Sequence, residues 1–212
     1  MKKWLENYWY HYKWHTLIGG AAIILAVVLI VQLAAKVNYD ALFMYVGDDY
    51  ISAVQHSEIV KTLEDVCPDT TENGKTEINF SRTAYVGKAT SASDAQINAA
   101  GEDFLSTMLH QPYYIYFIRK DAYERCKDAF VPLSDIFGEN IPESAYVDKG
   151  IVLSKTAFHD SNPAFSCLSD DVVIALKEKP YIFSIFSRQR RAEAKSFSAH
   201  LEIFKSIVLY EK

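Results

Sequence analysis

The chain has 212 residues, half of them hydrophobic, and its 22 Lys and Arg stand against 27 Asp and Glu for a formal charge of −5. That balance disfavours nucleic acid as a partner, because phosphate backbones are held by clustered bases. The three cysteines, Cys67, Cys126 and Cys167, are well separated, match no metal-ligand spacing and are too few for a disulfide-built scaffold, although an exported protein could oxidise two of them.

Residues 17–35, LIGGAAIILAVVLIVQLAA, contain no charge and one polar side chain, Gln32. At ~1.5 Å per residue a helix of this length reaches about 28 Å, close to the ~30 Å hydrocarbon thickness of a bilayer. Lys2, Lys3 and Lys13 precede the run, whereas Lys36 and then Asp40, Asp48 and Asp49 follow it. The positive-inside bias therefore predicts a cytoplasmic N-terminus, with residues 36–212 outside the cell membrane. A cleaved signal peptide is the competing reading. Against it stand a long n-region, an apolar stretch beyond the usual ~7 to 15 residues, and Leu33 three positions before a cut after Ala35.

All three tryptophans, Trp4, Trp9 and Trp14, fall in residues 1–16, interleaved with Tyr8, Tyr10 and Tyr12. Amphipathic rings favour the headgroup zone, so this tail is expected to lie along the cytoplasmic face as an anchor. Gly19 and Gly20 are adjacent, so no GxxxG pattern supports dimerisation inside the bilayer.

Residues 36–212 carry 19 basic and 26 acidic side chains, and 177 residues suffice for one domain with a real core. Residues 41–47 (ALFMYVG) predict a buried strand, Asp48 and Asp49 a helix start, and Ile59, Leu63 and Val66 one helical face ended by Pro68. The polar turn DTTENGK leads to a second extended stretch over 76–86. Ile97, Ala100, Phe104, Leu105 and Met108 then recur at helical spacing, with Ser91 and Asp94 as a capping pair. Residues 113–118 (YYIYFI) read as a strand buried on both faces. Asp121 and Glu124 resemble a capping box for a short helix, residues 132–136 a docked turn, and 138–149 a polar loop. Three more strands are expected at 150–153, 172–176 and 181–186. A closing helix carries Ala194, Phe197, Leu201, Phe204 and Val208 as its stripe.

The alternation in the first half predicts an α/β fold: a transmembrane helix, then a three-layer domain whose sheet is mostly parallel with antiparallel edge strands. The order of ALFMYVG, NGKTEINF, INAAGEDFLSTMLHQ, YYIYFI, DAYERC and FVPLSDIF resembles the first lobe of type 2 periplasmic solute-binding proteins. Membrane-attached extracellular members of that family occur in Gram-positive bacteria. Such proteins close two lobes around a solute, and this chain has room for one lobe and a return segment. The resemblance thus implies an inherited fold with a reassigned function.

Asp69, Thr71, Asn73 and Gly74 occupy calcium-loop positions, but Phe80 stands where the bidentate Glu belongs, so turn chemistry is expected. Asn79-Phe80-Ser81 fits a glycosylation acceptor on a predicted strand. His159-Asp160-Ser161 are consecutive, whereas a catalytic triad must converge from separated elements. No G-x-S-x-G, phosphate-binding loop or H-E-x-x-H occurs, and nothing points to a cofactor or metal. Arg188, Arg190, Arg191 and Lys195 cluster at the start of the last helix, as a contact for acidic groups or as a solvated face. At the carboxyl ends of parallel strands, where open α/β sheets bind ligands, the sequence nominates Asp48, Asp49, Tyr50, Tyr85, Arg119 and Lys120. Together these features predict a non-enzymatic, membrane-anchored extracytoplasmic binding or assembly domain that acts with another membrane or cell-surface component, a membrane or cell-surface protein foremost, and binds a protein, the cell wall or a solute on its behalf. The alternatives are an accessory solute-binding protein that still takes a small molecule and, third, an enzyme.

Overall fold

The computed structural model describes residues 2–34, 37, 39–179 and 187–211, with side chains described for 8–32, 37, 39–179, 191 and 193–211. The chain divides into two units, Met1–Asn38 and Tyr39–Lys212.

The first unit is helix α1 (Lys2–Ala34), 33 residues and so about 50 Å long. Its stretch Tyr8–Gln32 is long and apolar enough to cross a membrane. No break separates the aromatic tail from the apolar run, so the tail continues the helix instead of forming a separate segment along the membrane surface. Trp9 and Trp14 are exposed along it, Tyr8 stacks on Tyr12 at 5.4 Å, and the Trp4 side chain lies outside the described residues.

In the second unit six strands form one sheet of order β2-β1-β3-β6-β5-β4. β1 (Ala41–Gly47) runs parallel to both β2 (Ile78–Ala84) and β3 (Ile115–Arg119). β6 (Val172–Leu176) then runs antiparallel to β3, β5 (Gly150–Val152) to β6, and β4 (Ala145–Tyr146) to β5. The antiparallel share is therefore larger than an edge. β6 sits inside the sheet, where its run VVIAL is wholly buried. Within the expected polar loop 138–149 the pair Ala145–Tyr146 joins the sheet, and the strand expected at 181–186 lies outside the described residues.

Alternation along β1 divides the core. Ala41, Phe43 and Tyr45 join Ile59 and Leu63 of α2 (Ala53–Val66) and Ile203, Phe204 and Ile207 of α7 (Ser187–Val208). Met44 and Val46 join Leu105 of α3 (Ala92–Ser106), Ala122 and Tyr123 of α4 (Lys120–Cys126), and Phe130. Two short helices, α5 (Leu133–Phe137) and α6 (Ala157–Ser161), cover the remaining core. Cys67, Cys126 and Cys167 are free thiols.

Local chemistry sets the helix starts. Ser52 caps α2 in a full capping box with Gln55, so Asp48 and Asp49 do not start that helix. The predicted box of Ser91 and Asp94 on α3 is formed. At α4 no side chain caps the N-terminus: Asp121 bonds the neighbouring Ala122 N–H, and Glu124 turns to Lys127 and Tyr146.

Candidate functional site

Of the nominated residues, Asp48, Asp49 and Arg119 meet at the carboxyl ends of β1 and β3. The Arg119 guanidinium pairs with Asp48, and its Nε and Nη2 reach Asp171 Oδ2 at 3.3 Å. These groups are about one quarter to one third exposed, so each pair adds ~1 kcal/mol or less. Asp49 has a tighter environment. Its Oδ2 accepts the Tyr45 hydroxyl at 2.7 Å and the Ser169 N–H at 2.9 Å, and its Oδ1 accepts the Ser169 hydroxyl. The Asp49 N–H in turn donates to the Tyr45 oxygen at 3.1 Å. Burial and the Asp49 carboxylate push the Tyr45 phenol well above its ordinary value.

Gly47 permits this arrangement. A Cβ there would lie 2.3 Å from the Tyr45 hydroxyl oxygen and 2.9 Å from Arg119 Cγ. Two of these partners, Ser169 of Asp49 and Asp171 of Arg119, belong to residues 169–171, which lead into β6, and Lys120 N–H also donates to Asp171 O at 3.2 Å. The place outside the parallel strand ends is thus held by the chain's own segment.

Tyr50 joins no such network and is 83% exposed. Tyr85 and Lys120 point to a different feature. Tyr85 donates its hydroxyl to Glu102 Oε1 on α3 at 3.1 Å, and Arg125 Nη2 on α4 reaches the same oxygen at 2.7 Å. Lys120 Nζ lies 5.0 Å from the centre of the Tyr146 ring, whose hydroxyl donates to Glu124 on α4. Glu102, Glu124 and Arg125 border an open cavity of about 650 Å³ between α3 and α4, floored by Leu105, Met108 and Cys126. Burial raises the Cys126 thiol to about 12, so it is a poor nucleophile and behaves as lining.

No family model matches the chain, and no curated protein or solved structure matches it. The resemblance to a solute-binding lobe therefore stands on the sequence words that carry it.

The opposite end of the sheet carries buried polar groups. Asp40, 3% exposed, accepts the N–H groups of Thr70, Thr71 and Glu77 at 2.7 to 2.8 Å; burial alone would raise its carboxyl, and these bonds hold it below the usual value. His200 accepts the Leu42 N–H on Nε2 at 3.1 Å and faces Ser196 O with Nδ1 at 2.7 Å, which fixes a neutral ring protonated on Nδ1. A cavity of about 270 Å³ opens beside them, lined by Tyr39, Leu42, Thr70 and Lys195. Lys177, fully buried, donates from Nζ to the carbonyls of Gln111 and, at 3.3 Å, Met108, and lies 5.2 Å from the Tyr114 ring centre.

Other nominated features resolve into local structure. Asp69 accepts Gly74 N–H at 2.7 Å and Asn73 N–H at 3.3 Å, ordinary turn bonding with Glu72 and Gly74 at positive φ. Asn79 lies on β2 and accepts the Ser81 hydroxyl. His159 and Asp160 are consecutive on α6, 3.9 Å apart, and Ser161 Oγ has no partner among the described residues. Arg191 is exposed, while the Arg188 and Arg190 side chains lie outside the described residues. Glu102, Arg125 and Asp128, which border the α3–α4 cavity, carried no signal in the sequence, because their spacing acquires meaning only when two helices meet.

Proposed function

We propose that this protein is a non-enzymatic, membrane-anchored extracytoplasmic binding domain that works by contact with another membrane or cell-surface protein. The observation that carries the reading is the contrast between two places. At the strand ends, where a solute would sit in an open α/β sheet, Asp49 and Arg119 are engaged by residues 169–171. Between α3 and α4 a cavity of about 650 Å³ is open to solvent.

Helix α1 supplies the anchor, and Lys2, Lys3 and Lys13 ahead of it support a cytoplasmic N-terminus with the α/β unit outside. The division of the core between α2 with α7 and α3 with α4 supports a three-layer arrangement. The parallel β2-β1-β3 half agrees with descent from a solute-binding lobe of the membrane-attached kind.

One observation favours the accessory solute-binding alternative: the cavity of about 270 Å³ beside His200, just under the ~300 Å³ at which small-molecule sites begin. A thermal-shift panel of sugars, amino acids, short peptides and phosphate esters on the full chain in detergent separates the readings. Contact function predicts no saturable shift. A saturable rise in Tm with one solute, abolished by Lys195→Glu, would establish the alternative instead.

A further inference from the structure

We infer that the α3–α4 groove docks a protein segment carrying a basic side chain next to an aliphatic one; this rests on the contact function proposed above and names its partner chemistry. One wall is α3 with the 3-10 turn Met108–His110, and the other is α4 with the 3-10 turn Lys127–Ala129. The floor is apolar, from Leu105, Met108 and Ala129, and Leu109 stands at the lip with nearly half of its surface in solvent.

The rim is acidic. Glu102, Glu124 and Asp128 line the groove with one base, Arg125, and Lys127 pairs with Glu124 at 3.1 Å, so acids outnumber bases by three to two. The Asp128 carboxylate has no partner among the described residues; only its backbone oxygen is engaged, by Lys149. Arg125 bridges the groove to Glu102 at 2.7 Å with both side chains well exposed, and an exposed pair of this kind contributes little net stability. A guanidinium or ammonium from a partner can therefore take the place of Arg125 on Glu102 while a second acid, Asp128, remains to receive it. An aliphatic neighbour in the same segment covers Leu109 and the floor. The acidic rim also selects against the alternative surface, since an anionic lipid leaflet is repelled by it. The excess of acids over bases in residues 36–212 steers cationic segments towards the domain as a whole.

The test uses the full chain in phosphatidylcholine nanodiscs and two fluorescein-labelled twelve-residue peptides, one of Leu and Lys and one of Leu and Glu in the same pattern. The Leu/Lys peptide gives saturable anisotropy and the Leu/Glu peptide none. Glu124→Lys with Asp128→Lys weakens binding at least tenfold, Leu109→Asp does the same, and the equal charge change Glu64→Lys with Asp65→Lys on α2 leaves it within twofold. Circular dichroism and Tm confirm that each variant is folded. Absence of saturation, or equal weakening by the α2 pair, overturns the assignment of this groove. Either failure removes this groove's partner chemistry and leaves the contact function itself to be decided separately, by the solute panel and by crosslinking in cells.

Discussion

Asp49, two residues beyond β1, holds Ser169 across 120 positions of sequence: its carboxylate accepts both the backbone N–H, at 2.9 Å, and the hydroxyl of Ser169. The same carboxylate takes the hydroxyl of Tyr45, which is 1% exposed. One acid thus fixes the end of β1, closes the strand-end site with residues 169–171, and keeps a buried phenol hydrogen-bonded.

Replacing that acid should cost more than a surface charge does. Asp49→Ala takes the acceptor from the Tyr45 hydroxyl, which keeps only the residue 49 N–H as a donor, and removes two bonds to Ser169; hydrogen bonds to charged groups contribute ~1.5–3 kcal/mol. Urea unfolding should show a loss of about 3 kcal/mol. A double-mutant cycle with Ser169→Ala should give a coupling near 1 kcal/mol. A loss below about 0.5 kcal/mol would mean that the segment is held by other contacts.

Lys177 gives a signature in alkali. Burial lowers its ammonium from the ordinary value to about 8, against the pull of Glu193. Between pH 8 and 10.5 the unfolded chain then holds the proton more often than the folded one, so this group makes stability rise with pH in that window. The buried thiols act oppositely above about pH 9, since Cys67 and Cys126 are raised to about 12. The wild type compared with Lys177→Met isolates the lysine: the wild type should gain on the variant from pH 8 to 10. Parallel stability curves would contradict this.

His200 acts on the acid side. Burial first, and then the nearby Lys177 charge, lower its pKa below 6.5, outweighing the Ser196 carbonyl that favours protonation. The unfolded state therefore takes up the proton first, and stability falls as pH drops below 6.5 through the folded value. His200→Phe should abolish that slope between pH 6.5 and 5. At pH 8 it should cost ~1–3 kcal/mol, because the Leu42 N–H loses its acceptor. Nitrogen chemical shifts should show Nδ1 protonated and Nε2 bare at neutral pH.

Tyr116 and Tyr123 bury hydroxyls that have no partner among the described residues. Tyr116 packs its ring 5.8 Å from Phe130, and Tyr123 stacks on the same ring at 5.4 Å. Removing the oxygen keeps this packing and relieves an unmet polar group, so Tyr116→Phe should be neutral or stabilise by up to ~1 kcal/mol. A destabilisation above 1 kcal/mol in guanidinium would show that the hydroxyl is satisfied in solution.

The strands were legible where they are buried on both faces. ALFMYVG and VVIAL are continuous apolar runs, and both become strands at the expected residues. Helix faces were less so. On α3, Ile97 is more than one third exposed while Gly101 is buried, a Cβ there coming within 2.8 Å of the Tyr85 ring; a glycine contributes no apolar signal to a periodicity. On α7 the expected stripe is buried at Phe204 and Val208, with Phe197 and Leu201 packed against the core, and the buried side also takes in Ile203, Ile207 and His200, a polar residue that an apolar pattern passes over. Asp48 and Asp49 read as helix starters because that chemistry is local. Their actual partners, Arg119 and Ser169, are far along the chain. For Lys177 nothing in VVIALKEK marks the one lysine that turns inward to carbonyls 66 and 69 residues away.

The most direct measurement is site-specific photo-crosslinking in intact cells, with a benzophenone side chain at Leu109 in the groove and at exposed Tyr50 beside the closed strand ends. Contact function through the α3–α4 face predicts one discrete adduct with a membrane or surface protein from Leu109 and none from Tyr50. Absence of any adduct from Leu109, with the chain present and folded in the membrane, would contradict it.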